Sequence, residues 1–259
     1  MTAGDQYSVL MSVNARETPA FLKDSMMSVF EQTLPTDDFV LIEDGALTPG
    51  LSAVIKRMKT LFKNRLKVLT LRQVVGRAQA LDIGLKECRH ELIAYSDSSA
   101  ISLPSRCARQ VKMFEARPVS IVGATAGVFE DDPDTVKEDR RMPEEALFIT
   151  RLSRKSTPFN KETVMVRKSR VLDSGGYDDR FPAMPDYYLW VRMLMNGCSG
   201  YNIPDRLVLA RAAEDGAAAE VSARERLAFE KWKREVGWTK LSDYVKGALP
   251  LAVRSMTGR

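Results

Sequence analysis

The stretch ELIAYSDSSA, residues 91–100, decides how this chain folds. Its first part, residues 91–96, is an apolar run that predicts a strand buried inside a sheet. The stretch then turns polar at Asp97, Ser98 and Ser99. Because ligands bind outside the carboxyl ends of the strands in open parallel sheets, these polar side chains indicate part of a binding site.

The segments around this strand alternate short apolar runs with amphipathic helices. Thr18 and Pro19 are typical of the cap and first turn of the first of these helices. Strands are predicted over residues 7–13, 39–42, 66–71 and 91–96, and helices from Thr18, over residues 51–62, after Gly76 and over residues 104–116. This alternation predicts an α/β fold with a parallel sheet that helices cover on both faces.

From about residue 119 the pattern becomes less regular. Strands are predicted over residues 120–128 and 163–167, on either side of a charged, poorly periodic stretch, and helices over residues 186–196 and 217–236. We expect one domain over residues 1–215, followed by a helical extension over residues 216–259 that packs on it or follows it.

The composition narrows the class of protein. The 259 residues carry a net charge of +5, which suits an anionic small ligand or an anionic lipid surface. No nucleic-acid motif is present, so we expect no nucleic-acid partner. The three cysteines lack metal-ligand spacing and favour buried free thiols in a reducing compartment. Without a signal peptide or a long apolar segment, the chain is expected to be cytoplasmic.

Polar clusters end three of the predicted strands. They are Ser12-Val13-Asn14, Glu43-Asp44-Gly45 and Asp97-Ser98-Ser99. Each cluster alone has a simpler interpretation, since Asp44-Gly45 suits a turn and Asp97 suits a cap. Three such clusters at successive strand ends favour a shared pocket.

Eight segments, taken in order over residues 7–211, resemble the landmarks of family 2 glycosyltransferases. They read YSVLMSV, FLKDSMMSVFEQTLP, FVLIEDG, VGRAQALDIGL, ELIAYSDSSAISLPSR, FNKETVMVRK, GGYDDRF and DYYLWVRMLMNG. The resemblance implies a GT-A fold, in which a Rossmann-like nucleotide-binding half with a mostly parallel central sheet is fused to an acceptor-binding half. It also implies inverting transfer of a sugar from a nucleoside diphosphate, usually UDP, to an acceptor hydroxyl.

The resemblance implies roles for individual residues. Ser12 lies where the family contacts the nucleoside, and Asp44 where a carboxylate accepts a hydrogen bond from the base. Asp97 matches the first residue of an Asp-x-Asp-Asp cluster that holds a divalent metal. Asp186 matches the carboxylate that acts as general base, although it could also be only a helix N-cap. With its strand-end neighbours, the predicted nucleotide-binding set is Ser12, Asn14, Asp44, Arg77, Asp97 and Ser99.

The sequence departs from the family pattern around the donor site. Ser99 and Ala100 replace the later acidic residues of the cluster, and serine hydroxyls are poor magnesium ligands beside carboxylates. We therefore expect no metal cofactor, or weakly bound Mg²⁺ or Mn²⁺. Lys161, where the family has histidine, or Arg77 could supply the positive charge instead, unless Lys161 is only a solvated surface side chain. The remaining departures are Glu162 for proline, Pro185 for glutamate, Val74 for asparagine and Gln79 for lysine.

Two functions from different classes remain open. The first is a glycosyltransferase that uses a nucleoside-diphosphate sugar and a glycan or lipid-linked acceptor of a surface polysaccharide, O-antigen or capsule precursor. The alternative is an inactive GT-A domain that serves as a binding or scaffolding subunit. A nicotinamide-dependent oxidoreductase is disfavoured because no Gly-x-Gly-x-x-Gly follows the first strand. Residues 241–259 mix apolar and basic side chains and could contact the inner membrane surface, or pack on the domain.

Overall fold

A computed structural model describes residues 6–212 and 222–239. The first half contains the strands β1 (Tyr7–Val13), β2 (Asp38–Glu43), β3 (Leu66–Thr70), β4 (Leu92–Tyr95) and β5 (Ala100–Ser102), with the helices α1 (Pro19–Phe30), α2 (Pro49–Phe62), α3 (Arg77–Glu87) and α4 (Arg106–Ala116). The second half contains β6 (Ile121–Phe129), β7 (Glu138–Arg140), β8 (Met165–Arg167) and β9 (Gly200–Arg211), with α5 (Ala146–Ser153), α6 (Lys168–Asp173), α7 (Pro185–Met195) and α8 (Ala223–Glu235).

The strands form one sheet in the order β3-β2-β1-β4-β8-β6-β9-β5, and β7 pairs with β6 beside this path. The first four strands are parallel to one another. β8 is antiparallel to both β4 and β6, whereas β6 and β9 are parallel. The chain order reverses between β1 and β4, which is where an open α/β sheet binds its ligand.

Alternate residues of the central strands enter two hydrophobic layers on opposite faces of the sheet. On β1, Leu10 belongs to the layer covered by α3 and α7, whereas Val9 and Met11 belong to the layer covered by α1, α2 and α4. This alternation follows from the two-residue period of a strand. Because both faces of the sheet are covered, the polar side chains that can bind a ligand lie at the ends of the strands.

The α/β prediction is confirmed, and the predicted elements up to residue 116 lie within a few residues of their predicted positions. The second half differs more. β5 and β9 were not predicted, and the charged, poorly periodic stretch contains β7 and α5. β9 was missed because Pro204 interrupts its apolar pattern; the sheet accommodates this proline at a register shift, where Ile203 pairs with Ala124 and Arg206 with Thr125.

α8 packs on the domain through an aromatic cluster. Phe229 and Trp232 are buried against Phe181 and Tyr188. The ammonium of Lys233, 1% exposed, donates to the Arg154 carbonyl at 2.9 Å. The predicted helix over 217–236 begins later, at Ala223, and the predicted membrane-contacting segment 241–259 lies outside the described residues.

All three cysteines are buried and unpaired, as predicted. Within residues 6–212 and 222–239, no helix is long and apolar enough to cross a membrane.

Candidate active site

A cleft of about 1040 Å³ opens at the carboxyl ends of β1, β2 and β4. One side, here called the parallel-strand wall, consists of the cleft residues that follow these strands: Ser12, Val13, Asn14, Asp44, Asp97, Ser98, Ser99 and Ala100. A second set of lining residues, here called the β6–β9 wall, consists of Val128, Glu138, Arg140, Ala210 and Arg211. It adjoins the first set where Ala100 pairs with Ala210. The three polar clusters predicted to share a pocket therefore do line one cleft.

Asp44 is buried and holds the loop that precedes α3. Its two carboxylate oxygens accept the backbone N–H groups of Val75 at 2.7 Å and Gly76 at 3.0 Å. Gly76 has φ +88°, a conformation that a residue with a side chain rarely adopts. Asp44 and Gly76 thus fix the point from which Arg77 extends into the cleft. The predicted contact between Asp44 and a nucleobase stays a prediction, and it would use lone pairs beyond those that the two amides occupy.

Asp97 is the carboxylate on which two cations of the cleft, Lys161 and Arg77, converge. Its Oδ2 lies 3.0 Å from the Lys161 ammonium and 3.8 Å from the Arg77 guanidinium. Its Oδ1 accepts from the Ser99 hydroxyl at 2.8 Å and the Ser99 amide at 3.2 Å. Burial acts to raise the pKa of Asp97, but Lys161, Arg77 and Ser99 outweigh it and hold that pKa well below its ordinary value.

Other side chains of the protein occupy the carboxylate of Asp97, the predicted metal ligand. Both oxygens of the single acidic ligand already contact Lys161 and Ser99. In residues 6–212 and 222–239, no three His, Cys, Asp or Glu side chains gather as a metal-binding group. Hard cations such as Mg²⁺ need several oxygen ligands, which Ser99 and Ala100 do not replace.

Lys161 belongs to a short 3-10 turn that links the two walls. Its side chain is 51% exposed, yet it forms an ion pair with Asp97, so it is not simply solvated. The next residue, Glu162, is only 5% exposed and pairs with Arg140 of the β6–β9 wall at 3.0 Å. Sequence reasoning noted Glu162 only as a departure from the family and missed Arg140.

Asp186 lies in the first turn of α7, where its charge complements the positive end of the helix. Its Oδ1 accepts the Tyr177 hydroxyl at 2.8 Å, and its Oδ2 lies 3.4 Å from the Arg77 Nε. The alternative that Asp186 is the N-cap is wrong, because Met184 occupies that position. The residues found to line the cleft do not include Asp186, whereas they include Arg77.

Arg77 therefore links the parallel-strand wall to Asp186. Burial acts to lower its pKa, but Asp186 and Asp97 outweigh this and raise the pKa above its already high ordinary value. The guanidinium is consequently charged at every pH of interest. No motif singles out Arg77; the sequence signal was only a cation in the glycine-containing loop.

The cleft contains two further residues that sequence reasoning missed. The Arg211 guanidinium lies over the Phe21 ring at 3.7 Å and over the Phe129 ring at 4.6 Å. Phe21 and Arg211 both line the cleft. An aromatic face and a guanidinium plane are suited to contacts with a sugar or a base.

Comparison with known proteins identifies the family. A family model described as glycosyl transferase family 2 matches residues 8–179. An uncharacterised glycosyltransferase of Haemophilus influenzae is 36% identical over 207 residues, which are 80% of this chain and 76% of that protein. The amylovoran biosynthesis glycosyltransferase AmsE of Erwinia amylovora is 32% identical over 257 residues, 97% of this chain and 93% of that protein. The UDP-Gal:α-D-GlcNAc-diphosphoundecaprenol β-1,3-galactosyltransferase of Escherichia coli is 30% identical over 214 residues, 82% of this chain and 76% of that protein.

Solved structures share the fold. TarS 1–349 of Staphylococcus aureus in complex with UDP-GlcNAc superposes with a TM-score of 0.67 at 15% identity, over 84% of this chain and 62% of that one. The mannosyltransferase PcManGT of Pyrobaculum calidifontis, in complex with GDP-Man and Mn²⁺, has a TM-score of 0.60 at 15% identity, over 95% of this chain and 65% of that one. This chain spans 37% of the longer TarS chain. The fold is thus GT-A, as predicted.

Proposed function

This chain belongs to glycosyl transferase family 2, and we propose that it is an inverting enzyme that moves a sugar from a UDP-sugar to an acceptor hydroxyl. That it is a glycosyltransferase follows from the family. The observation that carries the proposed donor is the convergence of two cationic side chains, Lys161 and Arg77, on Asp97 in the cleft. A diphosphate placed there would gain two partners for its charge without a metal ion.

The parallel-strand wall would hold the nucleotide. Ser12 and Asn14 line the cleft at the end of β1, and Asp44 at the end of β2. This is the switch point of the sheet, where nucleotides bind in doubly wound folds. Ser12 and Asn14 would contact the nucleoside, and Asp44 the base.

The reaction would then need a cation at the leaving group and a base at the acceptor. The bond between the anomeric carbon and the diphosphate oxygen breaks, and the electron pair goes to the diphosphate, where Lys161 and Arg77 stabilise the charge. The acceptor hydroxyl attacks the anomeric carbon from the opposite face, and its proton goes to Asp186. Lys161 and Asp186 are the proposed catalytic residues.

The acceptor would be a glycan or a lipid-linked saccharide of a surface polysaccharide. Two relatives support this class by name, one in amylovoran biosynthesis and one that acts on GlcNAc-diphosphoundecaprenol. Such an acceptor would place the enzyme in the cytoplasm, with peripheral contact at the inner face of the membrane.

Calorimetric titration with UDP and GDP, in EDTA and in Mn²⁺, tests the donor and the metal together. We expect UDP to bind, with an affinity that changes little between EDTA and Mn²⁺. Lys161→Met should weaken UDP binding by about ten- to a hundredfold, the loss of a charge-assisted hydrogen bond. Lys155→Met, an exposed lysine outside the cleft residues, is the matched control and should leave UDP affinity unchanged.

Three outcomes would contradict parts of this proposal. Binding that EDTA abolishes and Mn²⁺ restores would assign a metal to the site. Tighter binding of GDP than of UDP would change the donor. A protein that binds nucleotide but neither transfers nor hydrolyses a broad panel of nucleotide sugars would be a binding subunit instead.

A further inference from the structure

The strongest further signal is one guanidinium shared by two carboxylates. Resting on the proposed function, we infer that Arg77 is a positioning residue that couples donor binding to the catalytic carboxylate. A donor diphosphate competes with Asp97 and Asp186 for the Arg77 guanidinium, and taking it leaves Asp186 Oδ2 able to accept the proton of the acceptor.

Neither contact of Arg77 is tight. Its Nε lies 3.4 Å from Asp186 Oδ2 and its Nη1 lies 3.8 Å from Asp97 Oδ2. Strong charge-assisted hydrogen bonds between nitrogen and oxygen are about 2.7–2.9 Å long. Guanidinium has five N–H donors, and in the described part of the chain only the Nε–H makes a hydrogen bond. The group can therefore improve its contacts by turning toward a diphosphate.

The backbone at Arg77 stays in place while the side chain turns. Arg77 is the first residue of α3, and Asp44 holds the two preceding amides, those of Val75 and Gly76. Gly45 packs against the same loop, since an added Cβ there would lie 2.6 Å from Val74 Cγ2. Only the side-chain torsions of Arg77 remain free to respond to a ligand.

Asp186 has a second anchor that does not depend on Arg77. The Tyr177 hydroxyl donates to Oδ1 at 2.8 Å, and Tyr177 is buried. Burial first, and then the charge of Asp186, raises the pKa of Tyr177 well above its ordinary value, so the hydroxyl remains a neutral donor. When Arg77 moves to the diphosphate, Tyr177 keeps the carboxylate oriented and Oδ2 loses its competing cation.

The charges make this competition reciprocal. Asp97 and Asp186 carry two negative charges, and Lys161 and Arg77 carry two positive ones, so the cluster is neutral. A diphosphate adds at least two negative charges, and whichever of these two cations turns toward it leaves a carboxylate. If binding weakens the Arg77–Asp186 contact, then by linkage that contact weakens binding. Removing the charge of Asp186 should therefore strengthen nucleotide binding, and only through Arg77.

A binding cycle tests the coupling without requiring turnover. UDP affinity, or GDP affinity if GDP binds more tightly, is measured by calorimetry for the parent, Asp186→Asn, Arg77→Gln and the double variant. Asp186→Asn should tighten binding by roughly two- to fivefold, the scale of a partly exposed ion pair. In the Arg77→Gln background the same change should bring no gain. Unchanged affinity in Asp186→Asn overturns the inference, and so does an equal gain in both backgrounds, which would be a long-range charge effect.

Glu17→Gln is the matched control for long-range charge. Glu17 lines the cleft, and its carboxylate accepts the Ser98 hydroxyl at 2.6 Å rather than a hydrogen bond from Arg77. Its removal should change affinity by the same factor in the parent and in the Arg77→Gln variant. If Arg77→Gln unfolds, Arg77→Lys is the alternative variant, since it keeps the charge and should retain part of the coupling. If Arg77→Lys retained the full coupling, charge alone would account for the coupling, and the role of the guanidinium would be overturned.

The outcomes separate this inference from the proposed function. A parent protein that binds neither UDP nor GDP overturns both. Nucleotide binding without the predicted dependence on Arg77 overturns the inference alone. Where turnover is measurable, Arg77→Gln should lower kcat as well as raise KM for the donor, because the leaving diphosphate loses a cation while Tyr177 still orients Asp186. An effect confined to KM would make Arg77 only a phosphate ligand.

Discussion

The two walls of the cleft hold their charged side chains in different ways. On the parallel-strand wall, Asp44 accepts from two backbone amides and Asp97 from the amide and hydroxyl of Ser99. On the β6–β9 wall, Arg140 is 41% exposed and pairs with Glu162, and Arg211 lies over an aromatic ring. Backbone partners are fixed by the fold, whereas the contact between Arg140 and Glu162 joins two side chains and depends on their torsions.

This difference suggests a division of labour between the walls. A rigid wall suits the part of a substrate that does not vary, which in the proposed reaction is the nucleoside diphosphate. A wall of adjustable ion pairs and stacked rings suits the sugar or the acceptor, which differ between members of a family. Lys161 and Glu162, adjacent in sequence, connect the two, since one pairs with Asp97 and the other with Arg140.

The largest effect is expected from Asp186, the proposed catalytic carboxylate, and it tests whether the base is Asp186 or a carboxylate beside the β6–β9 wall. Asp186→Asn keeps the size and the Tyr177 contact, so folding and nucleotide binding should survive. Turnover should fall by at least about 10²-fold, as for the loss of general-base assistance. Glu162→Gln, a buried carboxylate associated with the β6–β9 wall, is the comparison and should lose far less. Initial rates of sugar transfer measure both, and the opposite ranking would move the base to Glu162.

An intermediate effect is expected at Asp44 of the parallel-strand wall. Asp44→Ala leaves the amides of Val75 and Gly76 without their acceptor and releases the loop that carries Arg77. UDP binding should weaken by about 1–3 kcal/mol, and unfolding by urea should begin at lower concentration. Asp37→Ala removes a carboxylate that is 55% exposed and is not among the cleft residues, and it should leave UDP affinity unchanged. Full UDP affinity in Asp44→Ala would show that this wall is less rigid than its hydrogen bonds indicate.

The smallest effect is expected from the Asp97–Lys161 pair and concerns acid stability. Because the pKa of Asp97 is lowered in the folded protein, its contribution to stability is present above the unfolded value of about 3.9 and is lost as the pH falls through the folded value. Above about pH 5 this contribution should be constant. Lys161→Met should raise the pKa of Asp97 and make the variant less stable than the parent at neutral pH. On acidification, the protonation of Asp97 should then cost the variant less stability than it costs the parent.

The urea concentration at the midpoint of unfolding, measured for the parent and the variant from neutral pH down to strongly acidic pH, tests this difference in stability. Since Lys161 is half exposed, the change at neutral pH should stay below about 1 kcal/mol. Lys155→Met should follow the parent across the range. A variant whose midpoint falls in parallel with that of the parent at every pH would show that Lys161 does not set the ionisation of Asp97.

The local pattern of apolar and polar residues was enough to predict the first half of the fold. Strands β1 to β4 pair in parallel, and each is a short apolar run followed by a helix or by a polar strand end. That pattern also led to the strand-end clusters, because parallel strands end at the same edge. The second half depends on pairing between distant segments. β9 contains three consecutive exposed residues that begin at Pro204, so its strand character comes from β6 and β5 on either side.

The chain order of apolar and polar residues determined the α/β class, the cleft edge and the identity of Ser12, Asn14, Asp44 and Asp97 as its residues, since each lies at the end of its own strand. Only the tertiary structure decided what these carboxylates contact. Lys161 and Asp97 are 64 residues apart in the chain, and Arg77 and Asp186 are 109 apart. Periodicity reports which face of an element is buried, but it has no information on which cation the fold brings to which carboxylate. That choice follows from the packing of α7 and the Lys161 turn against the parallel-strand edge.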